Sequence, residues 1–200
     1  MKVDCLLATT GVVVLSCLLL SCSTRQAPNA PQEAELQSVY TELSGPTCKE
    51  ELDMSDPNET PYLRCSGVAG YSLIVRKVGS GRKSIEVVDA SGDRFPLDYQ
   101  DVVTRHMLSL GEKAEWRVSA QDSKLQPFAL IARVDAREDE SEPERVTQSF
   151  FAVAKVEASG ACVTDRIVVE AEAEAMARRA ADSARVKPCL TALPEIHQEH

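Results

Sequence analysis

Along much of this chain apolar and polar side chains alternate with a period of two. Ala114, Trp116 and Val118 are separated by Glu115, Arg117 and Ser119, the pattern of a strand with one apolar and one wet face. Tyr71–Lys77 (YSLIVRK) and Lys83–Asp89 (KSIEVVD) are β-rich runs, and the VGSGR between them has the composition of a hairpin turn. Phe128–Val134 (FALIARV) and Gln148–Glu157 (QSFFAVAKVE) are the most apolar runs and are expected at the centre of a sheet. Ser159-Gly160 then turns the chain into a further run, Cys162–Val169.

Two stretches switch to the helical period. Asp98 can cap a helix running to Leu110, with Tyr99, Val103, His106 and Leu110 at helical spacing, Asp101 three residues after the cap and Gly111 as a stop. Glu170–Arg185 (EAEAEAMARRAADSAR) has high helix propensity, with acids early and arginines late as the helix dipole prefers. Its face Ala173, Met176, Ala177, Ala180 and Ala184 is made mostly of small residues, suited to lying close against a sheet. Links between strands are short, which favours antiparallel pairing. The expectation is an α+β fold, mainly antiparallel sheet with a short central helix and a C-terminal helix, in one domain from about residue 38 to 190. A small barrel or sandwich with the helix plugging one end is the alternative. Residues 191 to 200 read as a disordered tail.

The first residues follow another rule. Cys5–Leu20 carries no charge, but these sixteen residues are short of the roughly 20 that span a bilayer. They suit the apolar region of a secretory signal covering residues 1 to 21. Leu19-Leu20-Ser21-Cys22 resembles the lipobox of bacterial lipoproteins, with an aliphatic residue three before the cysteine and a small one just before it. Val14-Leu15-Ser16-Cys17 is a second candidate, but cleavage there would leave Leu18–Leu20 on the mature chain. The resemblance implies that Cys22 becomes the lipid-bearing first residue, so that the protein meets the membrane through a lipid anchor. Ser23 stands where that family's inner-membrane retention signal has Asp, which implies the outer membrane, with the domain facing periplasm or exterior. Residues 22 to 37 hold two prolines and few large apolar side chains, as a flexible tether would.

Cysteine arithmetic fits that address. Of seven cysteines (5, 17, 22, 48, 65, 162 and 189), two fall in the signal and one is the lipid site, leaving four. An even number in an oxidising compartment reads as disulfides. Three pairings exist, and the sequence-local one is favoured: Cys48 with Cys65 and Cys162 with Cys189. Each bridge would contribute about 3 kcal/mol by restricting the unfolded chain. None of the four forms a C-x-x-C pair and no histidine lies close, so neither zinc nor another cofactor is expected.

Charge and motifs restrict function more than they name it. A net charge of −9 argues against a nucleic-acid partner and leaves basic proteins open. The acidic run Arg137–Arg145 (REDESEPER) reads as a solvated loop, without the offsets or glycine of a calcium loop. His106 sits among Tyr99, Val103 and Leu110 as a packed histidine, and His197 and His200 belong to the tail. No G-x-S-x-G or H-E-x-x-H is present, and Gly79 and Gly81 lack the third glycine of a nucleotide loop. No catalytic residue is assigned, and Trp116 is expected to anchor the core. Ser66-Gly67 with Tyr71, after a cysteine and opening a strand, is similar to the Ser-Gly…Tyr motif of periplasmic and membrane-bound lysozyme inhibitors, here with Val68-Ala69-Gly70 intervening. That resemblance implies a partner loop carrying Ser66, Gly67 and Tyr71. The expected function is a non-catalytic binding or structural module of the cell envelope, with inhibition of a basic hydrolase such as lysozyme as the alternative.

Overall fold

Among the described residues the chain forms ten strands in two antiparallel sheets. The computed structural model describes residues 35–52, 60–78, 82–121, 124–137, 142 and 145–194, all within one unit, Ala34–His200. The first sheet joins β1 (Glu35–Glu42), β7 (Met107–Gln121), β8 (Lys124–Arg137), β9 (Gln148–Glu157) and β10 (Gly160–Val168), in that spatial order. The second joins β2 (Cys48–Glu51), β3 (Tyr62–Ser66), β4 (Ser72–Val78), β5 (Arg82–Val88) and β6 (Arg94–Pro96) as a meander. The two most apolar runs, in β8 and β9, are indeed interior strands of their sheet.

The alternation decides what each face does. Trp116, Val118, Leu130, Val134 and Val156 from the first sheet meet Leu73, Val75, Ile85 and Val87 from the second in one buried cluster. Each such aliphatic side chain contributes about 1.5–3 kcal/mol on burial, which lets a chain poor in aromatic residues build a core. Trp116 is fully buried at its centre, and its indole N–H donates to Thr41 Oγ1 at 2.9 Å. Thr41 in turn donates to the Ser66 carbonyl at 3.0 Å, so the polar tip of the tryptophan is satisfied without water.

The α+β expectation holds: strands dominate, with helix α1 (Tyr99–Val102) between β6 and β7 and helix α2 (Ala173–Asp182) after β10. Both expected disulfides are present. Cys48 and Cys65 face each other in register on β2 and β3, and Cys162–Cys189 ties β10 to the segment after α2. Helix α2 lies on the outer face of the first sheet, where Ala177 and Ala181, with Ala184 in the turn that follows the helix, pack on Phe128, Ala129, Ile131 and Val153. Without bulky side chains on that face the helix axis can approach the strands closely.

Five details differ from the sequence reading. The helix expected from Asp98 to Leu110 is a single turn, Tyr99–Val102, and residues from Met107 onward join β7 instead. Val102, Val103 and Thr104 are β-branched and stiff in a helix, whereas Leu108 and Leu110 gain a ladder opposite Ala136 and Val134. Asp98 does not cap with its side chain; it takes a left-handed conformation, φ 45°, at the entry. Met176 lies off the packed face, 47% exposed, because the buried positions step by four through Ala173, Ala177 and Ala181. Strand β1 starts at Glu35, inside the stretch assigned to the tether. In the stretch assigned to the tail, Leu193 is held by its N–H on the Asp101 carbonyl and its own carbonyl on Arg105, both at 2.7 Å.

Candidate functional site

A groove of about 610 Å3 opens where α2 leaves part of the first sheet's outer face uncovered. That volume lies within the about 300–1,000 Å3 typical of small-ligand sites. Its floor is Ile131, Phe151 and Ala177, and its rim carries Tyr40, Lys113, Arg133, Asp135, Glu174 and Arg178.

A bulge in β7 builds one wall. Leu110 pairs with Val134 and Ala114 with Ala132, so Gly111, Glu112 and Lys113 stand opposite the single residue Arg133. The extra residues interrupt the alternation and put Glu112 and Lys113 both on the groove. Glycine is required at the crossing, because a Cβ on Gly111 would come within 2.9 Å of Arg133 Cβ. The bulge is anchored by the Leu43 N–H on the Glu112 carbonyl at 2.8 Å.

The other wall is an ion-pair network. Glu115, buried on β7, accepts both Nε and Nη2 of Arg178 from α2, at 2.8 and 3.0 Å. It also accepts the Ser38 and Tyr40 hydroxyls from β1, so one carboxylate joins the helix, an interior strand and the edge strand. Burial pushes its carboxyl up, but the hydrogen bonds from Arg178 and Ser38 and the Arg178 charge outweigh this and hold it below the usual carboxylate range. The same bonds push the Arg178 guanidinium further up. One turn of helix away, Arg117 donates to Asp182 at 2.8 Å and to Ser38 at 2.6 Å. Across the groove Arg133 pairs with Asp135 at 2.8 Å.

What remains over is informative. The Lys113 ammonium sits 4.6 Å from the centre of the Tyr40 ring, and among the described residues no carboxylate pairs with it. Glu112 is exposed and has no ion pair there either, and Glu174 reaches Arg178 only at 3.6 Å with its side chain 72% exposed. The groove therefore offers an apolar floor between one unneutralised cation and two unneutralised or weakly paired anions. Among the described residues no three of His, Cys, Asp and Glu are placed to hold a metal ion together.

The candidate partner loop lies elsewhere. Residues 68–71 form the turn between β3 and β4, closed by the Tyr71 N–H on the Val68 carbonyl at 2.9 Å, with Ala69 and Gly70 at positive φ. Gly67 leaves no room for a side chain, since a Cβ would meet the Tyr71 carbonyl oxygen at 2.7 Å. The Tyr71 ring turns back edge-on to Trp116, with centroids 6.0 Å apart, and of Ser66, Gly67 and Tyr71 only Ser66 is exposed. Loop and groove thus lie on opposite sides of the first sheet. His106 is half-buried between α1 and β7, away from the groove lining. Cys22, Gly79, Gly81, His197, His200 and the acids 138–140 and 144 lie outside the described residues, whereas Glu142 pairs with Arg145 on the surface.

The residues that shape the groove were hidden in the sequence as ordinary wet-face positions. Glu115 and Arg117 alternate correctly with core residues, and nothing local says that α2 will cover them. The one available signal was Gly111 inside a strand, which marks a bulge or a close backbone approach. Comparison of the chain with protein-family models, with curated proteins and with solved structures finds no match.

Proposed function

We propose that this protein is a lipid-anchored module of the bacterial cell envelope, held at the outer membrane through Cys22, whose domain binds a ligand and does no chemistry. The observation that carries the anchor is Leu19-Leu20-Ser21-Cys22 at the end of an uncharged run. The two disulfides support it, because such bridges persist in an oxidising compartment. Binding rather than catalysis is supported by the state of the groove's buried acid. A general base works best with a pKa near the ambient pH. Glu115, buried in the groove wall, is instead held low by Arg178. The groove, with its preformed walls, is the site this reading assigns. Fatty-acid labelling and intact mass of the wild type against Cys22→Ala test the anchor: lipid should be present in the first and absent from the second. Label persisting in Cys22→Ala would refute it.

A second reading, inhibition of a basic hydrolase such as lysozyme, draws on the net charge of −9 and the exposed Ser66 at the β3–β4 turn. Lysozyme activity unchanged by micromolar protein would remove it.

A further inference from the structure

We propose that the groove beside α2 takes a small zwitterion with an apolar body, a short peptide with both termini free. This rests on the reading of the groove as the binding site, and it names the ligand class from the charges left over. Glu115 and Asp135 are already neutralised by Arg178 and Arg133, so they form the frame rather than the recognition surface. The rim is then left with the Lys113 ammonium, among the described residues unpaired with any carboxylate, and with the carboxylates of Glu112 and Glu174. Charge complementarity to such a rim requires one anionic and one cationic group on the same ligand. A purely anionic ligand would meet two opposing carboxylates, and a purely cationic one would meet the Lys113 ammonium with nothing to neutralise it.

The floor sets the rest of the ligand. Ile131, Phe151 and Ala177 give an apolar base between the charged groups, which suits a hydrocarbon or aromatic side chain. A free peptide of two or three residues presents that combination: carboxylate to Lys113, ammonium to Glu174 or Glu112, and a side chain on the floor. The bulge is what makes the combination possible. In a regular strand Glu112 and Lys113 would point to opposite faces, and only the three-against-one pairing opposite Arg133 brings both to one groove.

The test titrates the full-length protein with the dipeptide Ala-Phe, its N-acetyl and C-amide derivatives, hexanoate and hexylamine. Binding is followed through amide chemical shifts of Gly111, Lys113 and Arg133. Ala-Phe should shift these amides, and blocking either terminus should weaken binding about tenfold, the scale of one charge-assisted hydrogen bond. Lys113→Gln and Glu174→Gln change exposed side chains, so the thermal midpoint should be unchanged while affinity for Ala-Phe falls by about the same factor. Hexanoate or hexylamine binding as tightly as Ala-Phe would overturn the ligand class while leaving the groove as the site. No shift with any of the five probes at millimolar concentration would overturn the groove itself. Ala-Phe affinity unaltered in both variants would overturn the assigned roles of Lys113 and Glu174, and with them the proposal.

Discussion

Glu115 shows how much a single alternation can conceal. It occupies a wet-face position of β7, yet it is buried, and its carboxylate gathers bonds from α2 and β1 together. Replacing it by glutamine keeps the shape but removes the charge opposite Arg178, and the expected loss at neutral pH is about 1–3 kcal/mol. The pH dependence has a fixed sign. Because the folded carboxyl titrates below its ordinary value of 4.5, its contribution is complete above that pH and disappears as the pH falls through the lower folded value. Urea midpoints of wild type and Glu115→Gln should therefore differ at pH 7 and converge progressively below about pH 4.5. A gap that stayed constant down to pH 3 would show that the ion pair contributes nothing. Gly111 teaches a different lesson at this scale. It reads equally well as a helix stop and as a bulge, and only the Arg133 side chain lying across it decides between them.

At the scale of elements, legibility followed how much each segment depends on distant partners. The runs in β4, β5, β8 and β9 carry their own period and their own apolar content, and all four are strands. The α2 helix was equally readable because alanine favours helix without help from neighbours. The segment after Asp98 was not, since its helical spacing competes with a strand that exists only because β8 offers a ladder. The small-residue face of α2 makes a prediction of its own. Ala181 is fully buried against the sheet, so Ala181→Leu must push the helix outward or force neighbouring rotamers, at about 1–3 kcal/mol. Amide exchange in Ala173–Asp182 should accelerate more than in β4 or β5. Equal protection in both places, with an unchanged melting midpoint, would show that close approach of this helix is unimportant. The Cys162–Cys189 bridge closes its loop around this same helix, which explains why local pairing of cysteines was the right expectation.

On the scale of the molecule, two sheets could in principle be two folding units, and the packing argues that they are not. The buried cluster draws on both sheets, and the chain leaves the first after β1, completes the second and then returns for β7. Trp116 is the point where the two meet. It belongs to β7, bonds through Thr41 to the end of β3, and lies against Tyr71 from the turn that follows. Its fluorescence therefore reports contact between the sheets, whereas far-UV circular dichroism reports the strands themselves. Loss of either sheet would expose the inner face of the other, at about 1.5–3 kcal/mol for each large aliphatic side chain uncovered, so neither should persist alone. The two signals should then trace one urea transition with a common midpoint in the oxidised protein. Reduction of both disulfides should lower that midpoint by the equivalent of several kcal/mol, from about 2–4 for each bridge, without separating the curves. Tryptophan fluorescence changing at distinctly lower urea than circular dichroism would mean that the sheets come apart before either unfolds, and that the shared core is not what makes this fold cooperative.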